Sequence, residues 1–315
     1  MLHITNGDSV IDAFRDAGMP GRYLSWLDAL HDGPVPETRT LEELSDVRAH
    51  ALSGFGWDTY DAIRRRFAER DAVLAACEPD DEVVLWFEHD LFDQLQLLQL
   101  LDWFAGRGRG SVHLSVVQID AFPGVEPFYG LGQLDGEQLA ALLPRRREVT
   151  AEQLTSGSAA WRAFRAADPT GLIEWTRRDS AGLPFLRAAL RRLLEEYPWT
   201  TDGLGRNQRQ ILIAAASGHT SKRDMYEAAR ESEACPWGDA SVYLRIDELA
   251  DARERALQRR NGDSFDLTDT GRGLLAGTHD WIALNGIERW IGGVHLTGEA
   301  SPWRWDVAEQ APVTA

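Results

Sequence analysis

Two hydrophobic periods alternate along the first third of the chain. Short apolar runs, LHIT (2–5), RYLSW (22–26), EVVLWF (82–87) and VHLSVVQI (112–119), have the length and β-branched or aromatic content of strands. Between them, residues 41–76 and 91–104 place apolar side chains at helical spacing. Strands that alternate with helices return in the same direction, so the pattern predicts an α/β domain with a mostly parallel sheet. VVLWF and LSVVQI are almost wholly apolar, as central strands covered on both faces are. LFDQLQLLQLLDWF (91–104) follows the third strand as a crossover helix would.

After Ile119 the pattern changes. AFPGVEPFYGLGQLDG is rich in Pro and Gly and suggests a domain boundary near residue 125, which closes a Rossmann-like α/β domain at 1–125. A helical linker domain at 126–200 is predicted from EQLAALL, TAEQLTSGSAAWRAFRAADP and LPFLRAALRRLLEEYP. Residues 201–280 have the order of a winged-helix-like domain. RNQRQILIAAASG, TSKRDMYEAARESE and DASVYLRIDELADA give three helices, ALQRRNGDSFDLT a hairpin turning at Asn261-Gly262, and DTGRGLLAG a closing helix. A Trp/Gly-rich extension fills 281–315, with a tail expected to fray from about Val307.

Charge narrows the partners. Lys and Arg number 33 against 50 Asp and Glu, a formal charge of −17 over 315 residues, which repels nucleic-acid backbones and acidic membranes. Lys222 is the only lysine. Cys77 and Cys235 form neither a C-x-x-C pair nor a disulfide framework, and the opening MLHITNGDSV lacks the basic and apolar regions of a leader. No stretch approaches a membrane span, so a soluble cytoplasmic protein is expected.

Ligands of open α/β sheets lie outside the carboxyl ends of the strands. Four polar segments fall there: Asn6-Gly7-Asp8-Ser9; Asp28, His31, Asp32 and Gly33; Glu88-His89-Asp90; and Gln118 with Asp120. Gly7 would let the backbone turn tightly and approach a ligand, with the next helix's amides facing a phosphate or carboxylate. Equally, Asp8 or Ser9 would serve as a helix cap, and an acidic Asp8 opposes an anion unless a cation intervenes. Gly-Asp-Ser also resembles the opening block of the serine esterases named for that motif, with Asp28-x-x-His31 at the spacing of their base and orienting carboxylate. In those esterases that pair comes at the far end of the domain, and their other blocks are absent here. His89 suits a base or a metal ligand, with Asp90 and Asp8 as a carboxylate pair for Mg²⁺, while Asp90 with Asp93 also suits a helix cap. The expected site therefore has Ser9, His31 and His89 in chemical roles and Asn6, Gly7, Asp8, Asp28, Gly33 and Asp90 as ligand contacts. Metal and cofactor stay unassigned.

In the winged-helix-like part, the third helix sets Asp239, Asp247, Glu248 and Asp251 against Arg245 and Arg253, a face that repels phosphate. Cations sit instead at Lys222, Arg223, Arg255, Arg259 and Arg260, which favours protein docking over nucleic acid. RWIGGVHL and PWRWD interleave Arg289, Trp290, His295, Trp303, Arg304 and Trp305, as a packed strand pair or a grip for a planar ligand would.

HITNGDSV, WLDALHDGPVP, VVLWFEHDLFDQLQLLQLLDWF and FPGVEPFYGLG resemble the bacterial family called domain of unknown function 1835. AWRAFRAADP, LPFLRAALRRLLEEYP, DGLGRNQRQIL, LTDTGRGLLAG and RWIGGVHL with WRWD resemble its companion C-terminal region. The resemblance implies no activity and no residue roles. The residues themselves point to a binder of a small anionic ligand, a nucleotide or phosphate ester, with hydrolysis as the expected chemistry if there is turnover. The alternative is a ligand-sensing regulator whose winged helix binds DNA or a protein.

Overall fold

The computed structural model describes residues 1–107, 112–180, 182–231, 233, 237–260 and 263–314. Strands β1 (Leu2–Thr5), β2 (Arg22–Ser25), β3 (Glu82–Glu88) and β4 (His113–Ile119) run parallel in the order β2-β1-β3-β4. The crossovers are α1 (Asp8–Asp16), then α2 (Leu41–Gly54) with α3 (Tyr60–Ala75), then α4 (Leu91–Gly106). From β1 the chain winds outward to β2 and then returns to β3 on the other side of β1. The winding therefore reverses between β1 and β3, which opens a crevice at their carboxyl ends. Thr5 pairs with Ser25 on one side and Trp86 on the other, and β3 runs two residues further to Glu88.

Alternation within β3 sets the two layers. Val84 and Trp86 pack with Val117 against Val10 and Phe14 of α1, whereas Val83, Leu85 and Phe87 face the layer that holds α4. Both faces are covered, which is why β3 has no polar alternation. Helix α4 lies between the sheet and two later helices, α6 (Ala151–Arg165) and α8 (Leu186–Leu194), and is buried nearly all round. Its interior glutamines are placed to satisfy buried groups: Gln99 accepts from the Trp26 indole at 2.8 Å, and Gln96 donates to the Asp28 carbonyl at 3.2 Å.

The sheet carries on beyond residue 125. Helix α5 (Gly136–Leu142) packs on α1, and β5 (Arg147–Glu148) pairs antiparallel with β4. The Pro/Gly stretch is thus a connection inside the α/β layer, with a 3-10 turn at Leu131–Gln133. A two-residue edge strand is too short to show a period of its own.

Helix α7 (Thr170–Trp175) links α6 to α8. There follow α9 (Arg206–Ala216), α10 (Lys222–Glu231) and α11 (Asp239–Asp251), the antiparallel pair β6 (Leu257–Arg259) and β7 (Phe265–Leu267), and α12 (Asp269–Leu275). The Asn261-Gly262 turn and Cys235 lie outside the described residues. After α13 (Trp281–Asn285) come two antiparallel pairs, β8 (Ile287–Ile291) with β9 (Val294–Gly298), and β10 (Trp303–Asp306) with β11 (Ala311–Thr314). The fraying expected from Val307 is corrected here: Ala311 and Pro312 are buried in β11. Its partner β10 is tied to the body by Trp305 N–H on the Pro198 carbonyl at 2.8 Å and Thr200 N–H on the Trp305 carbonyl at 3.0 Å. Among the described residues no helix is long and apolar enough to cross a membrane.

Candidate functional site

At the crevice between β1 and β3, Asn6 joins the two strand ends. Its Nδ2 donates to Asp93 Oδ1 at 2.7 Å and to Glu88 Oε2 at 3.4 Å. Asp90 is the N-cap of α4, accepting from Asp93 N–H at 2.8 Å, and Asp93 in turn accepts from Glu88 N–H at 2.5 Å. Acceptor oxygens of Glu88, Asp90 and Asp93 all lie within 4.8 Å of one another. Burial, reinforced by the Asp90 charge and only partly offset by the Leu131 N–H, pushes the Glu88 carboxyl up to about 8. Burial first, then Glu88 and Asp90, raise Asp93 well above the usual carboxylate range, and burial raises Asp90. With its carboxyl at about 8, Glu88 holds its proton near neutral pH. These three residues are also the ones that would hold a divalent cation, which neutralises the same charge. Burial favours the proton, since Gly130 packs so closely that a Cβ there would lie 2.6 Å from Glu88 Oε2, whereas Leu131 N–H, donating to Glu88 Oε1, favours the charged form.

The Asn6-to-Ser9 turn is open on its other side. Gly7 is the N-cap of α1 with no side-chain cap, so neither Asp8 nor Ser9 fills the capping role, and both are exposed. Gly7 has φ −160°, extended backbone that any residue adopts, and a Cβ there would touch Leu27 Cδ2 at an ordinary 3.6 Å. Close approach of a ligand, rather than a strained turn, is what glycine offers here. Beside the turn, a cavity of 360 Å³ lies between β2 and α3, lined among others by Asp8, Trp26, Leu27, Trp57, Arg66 and Phe67. The Arg70 guanidinium sits over the Trp26 ring at 4.1 Å and the Phe67 ring at 4.3 Å. Leu27 at the cavity mouth is exposed and held at φ +46°, a left-handed conformation that a bulky side chain adopts only under constraint.

The Asp28-to-Gly33 loop follows β2 but is committed to other partners. Arg48, wholly buried, binds Asp28 Oδ1 through Nε at 2.9 Å, the Asp32 carbonyl at 2.6 Å, the Ala29 carbonyl at 2.8 Å and the Pro34 carbonyl at 3.3 Å. Gly33, at φ +76°, lets α2 come close, since a Cβ would press on Ala51 and Phe55 at 3.2 Å. Asp28 and Gly33 thus shape the loop. His31 Nε2 lies 3.0 Å from Ser241 Oγ in α11 and 3.5 Å from Asp32 Oδ2, while Nδ1 is buried without a hydrogen-bond partner. A catalytic relay needs the carboxylate on the nitrogen opposite the serine, so this buried trio is a packing contact. Burial lowers His31 below its ordinary value against the pull of Asp32. On Asp32, burial is outweighed by Arg245 at 2.6 Å together with His31, and its carboxyl is held below the usual range.

His89 has its ring 6.1 Å from both Phe128 and Phe185. Among the described residues no hydrogen bond joins Ser9, His31 and His89 to one another. What the sequence reading passed over are Arg48, Gln94, whose Nε2 holds the Glu88 carbonyl at 2.5 Å, and the place of Asp93 in the carboxylate cluster, since Asp93 was read only as part of a helix cap. Polar residues inside the apolar run 91–104 were the visible signal for the last two.

In the C-terminal half four of the five cations singled out above, Lys222, Arg223, Arg259 and Arg260, are in ion pairs. Lys222 pairs with Asp247 at 2.7 Å, Arg259 with Asp247 at 2.6 Å and Asp251 at 2.9 Å, and Arg260 with Asp266. Trp290 stacks on His295 at 4.2 Å and 7° within the β8–β9 pair, and Arg304 pairs with Asp280, so the Arg/Trp cluster is largely packed structure. No protein-family model matches the chain, and no curated protein matches it.

Proposed function

We propose that the protein binds a small anionic ligand, a nucleotide or phosphate ester, at the start of α1. The anionic group would meet the N-terminal amides of that helix and the organic part would enter the aromatic cavity between β2 and α3. The carrying observation is that Asp8, in the first turn of an α1 without a side-chain cap, also lines that cavity. Arg66, on the same cavity wall, is paired with Asp58 at 2.9 Å and would have to share its charge to supply the cation that an acidic Asp8 requires. Glu88, linked to the turn through Asn6, supplies a proton near neutrality, but among the described residues no activated nucleophile stands beside it. Binding is therefore better supported than hydrolysis. Titration calorimetry with nucleoside monophosphates and with inorganic phosphate tests this, with the wild type beside Trp57→Ala. Saturable nucleotide binding weakened by Trp57→Ala supports the assignment, and absence of saturable binding to both probes removes it.

A second role rests on α11. We read helices α9 to α11 with the β6–β7 pair as a winged helix from their order along the chain, and α11 contacts the 28–34 loop through His31–Ser241 and Asp32–Arg245. We read that contact as coupling between the ligand-binding half and a regulatory half that meets a protein partner rather than DNA. Crosslinking in cell extract with and without added nucleotide tests it, and a partner set indifferent to nucleotide counts against coupling. The likeness to the domain of unknown function 1835 family is retained as a proposal on its motifs.

A further inference from the structure

His31 stands where three parts of the chain meet. It belongs to the 28–34 loop, its ring lies 4.5 Å from the Trp237 ring and 5.9 Å from Phe92 of α4, and its Nε2 is 3.0 Å from Ser241 Oγ in α11. Only 6% of the residue is exposed. The loop grips α11 a second time through Asp32 and Arg245 at 2.6 Å, so His31 sits inside the joint between the α/β layer and the C-terminal half.

The two ring nitrogens have different surroundings. Nε2 faces acceptors, the Ser241 hydroxyl and, at 3.5 Å, the Asp32 carboxylate, which assigns the proton of the neutral ring to Nε2. Nδ1 keeps a bare lone pair, sealed from solvent and without a hydrogen-bond partner among the described residues. A second proton would place an N–H there with no acceptor and no water to reach it. The charged groups facing the ring do not absorb the added charge. Asp32 of the same loop is already held by Arg245 of α11, and Glu196, just after α8, by Arg192 at 2.6 Å. Arg48 of α2 and Arg245 repel a cation at this point. Phe92, Trp237 and Ser241 carry no charge.

We propose that His31 is a proton-sensitive latch on this joint: neutral, it seals the 28–34 loop against α11, and protonated, it releases that contact while the parallel sheet stays folded. The functional weight of the release rests on reading the α11 contact as a coupling joint. The release itself is measured with neither nucleotide nor partner present, so it can fail while the coupling stands, and the reverse.

Amide hydrogen exchange of the full chain, corrected for the intrinsic rate and scanned from about pH 7.5 to about pH 4.5, tests this. In the wild type, protection of residues 28–34 and of the start of α11 should fall by about tenfold or more toward acid, while β3 keeps its protection. His31→Gln retains a donor toward Ser241 but takes up no proton, so its joint should stay protected throughout the scan. Where that variant does not fold, the ¹³C resonance of His31 Cε1 in the wild type serves instead, and its titration midpoint should coincide with the loss of protection. No loss at the joint, an equal loss in His31→Gln, an equal loss in β3, or a His31 that titrates while the joint stays protected overturns the latch.

Discussion

Arg48 and Asp28 are paired at 2.9 Å with both side chains sealed from solvent, and the same guanidinium holds three carbonyls of the loop after β2. Removing one member leaves a buried charge alone. Arg48→Met should therefore cost about 3–5 kcal/mol of folding stability by urea denaturation, and Arg48→Lys should recover little because one ammonium cannot span that fork. A loss below about 1 kcal/mol would show that the loop does not depend on the pair.

Glu88 gives the stability a pH signature. Its folded-state pKa, about 8, stands above the ordinary value of 4.5, so its contribution is complete below about pH 4.5 and is lost as pH rises through 8. Asp90 and Asp93 shift in the same direction. His3 and His31, lowered chiefly by burial, act oppositely: their contribution is present above about 6.5 and lost as pH falls. The wild type minus Glu88→Gln difference isolates the first effect. Melting temperatures between pH 5 and pH 8 should fall more steeply in the wild type, and parallel profiles would place Glu88 in its ionised form throughout.

Ser9 separates stability from binding. Since Gly7, not Ser9, is the N-cap of α1, Ser9→Ala should change stability by less than about 0.5 kcal/mol. If the hydroxyl meets the bound anion, affinity should drop by roughly 0.5–1.5 kcal/mol in calorimetry. A large stability loss with unchanged affinity would mean that Ser9 caps the helix after all.

Asp8 and Arg66 should have opposite effects on anion affinity. Asp8→Asn removes a repelling charge and should tighten nucleotide binding a few-fold at low salt, whereas Arg66→Ala should weaken it, and both differences should shrink at high ionic strength. Equal affinities for the two variants would move the anion away from this turn.

Duplex DNA should not bind tightly at physiological salt. The chain carries −17, α11 faces the α/β half, and Arg259 and Arg260 are already in ion pairs. Micromolar or tighter, salt-sensitive binding in a mobility-shift titration would reverse this.

The parallel strands and their crossover helices were legible because β3 and β4 are apolar on both faces and α4 repeats at helical spacing. Asp90 as a cap was legible from its place before an apolar helix. Three things were not. Arg48 reads as an ordinary helix cation, because local sequence does not reveal that a loop 14 to 20 residues earlier wraps it. His31 looked like a strand-end base, yet its partner Ser241 is 210 positions away. Strand β11 looked like a tail because APVT has too few residues to show a period, and its order comes from β10 beside it.

The Gly292-Gly293 turn has a consequence for how the molecule comes apart. Gly292, at φ +60°, accepts from Val35 N–H at 2.8 Å, and Gly293 N–H donates to the Phe164 carbonyl at 3.0 Å. A Cβ on Gly292 would collide with that Phe164 carbonyl, and one on Gly293 with the carbonyl of Arg165. Backbone from three distant stretches is thereby pinned at one point without any side chain in between. Proteolytic fragments cut to the apparent domain limits should lose that pin, leaving the isolated α/β half open at its 28–36 loop. Intact chains should melt in one calorimetric transition, not in steps, and a bulky residue at Gly293 should split that transition in two.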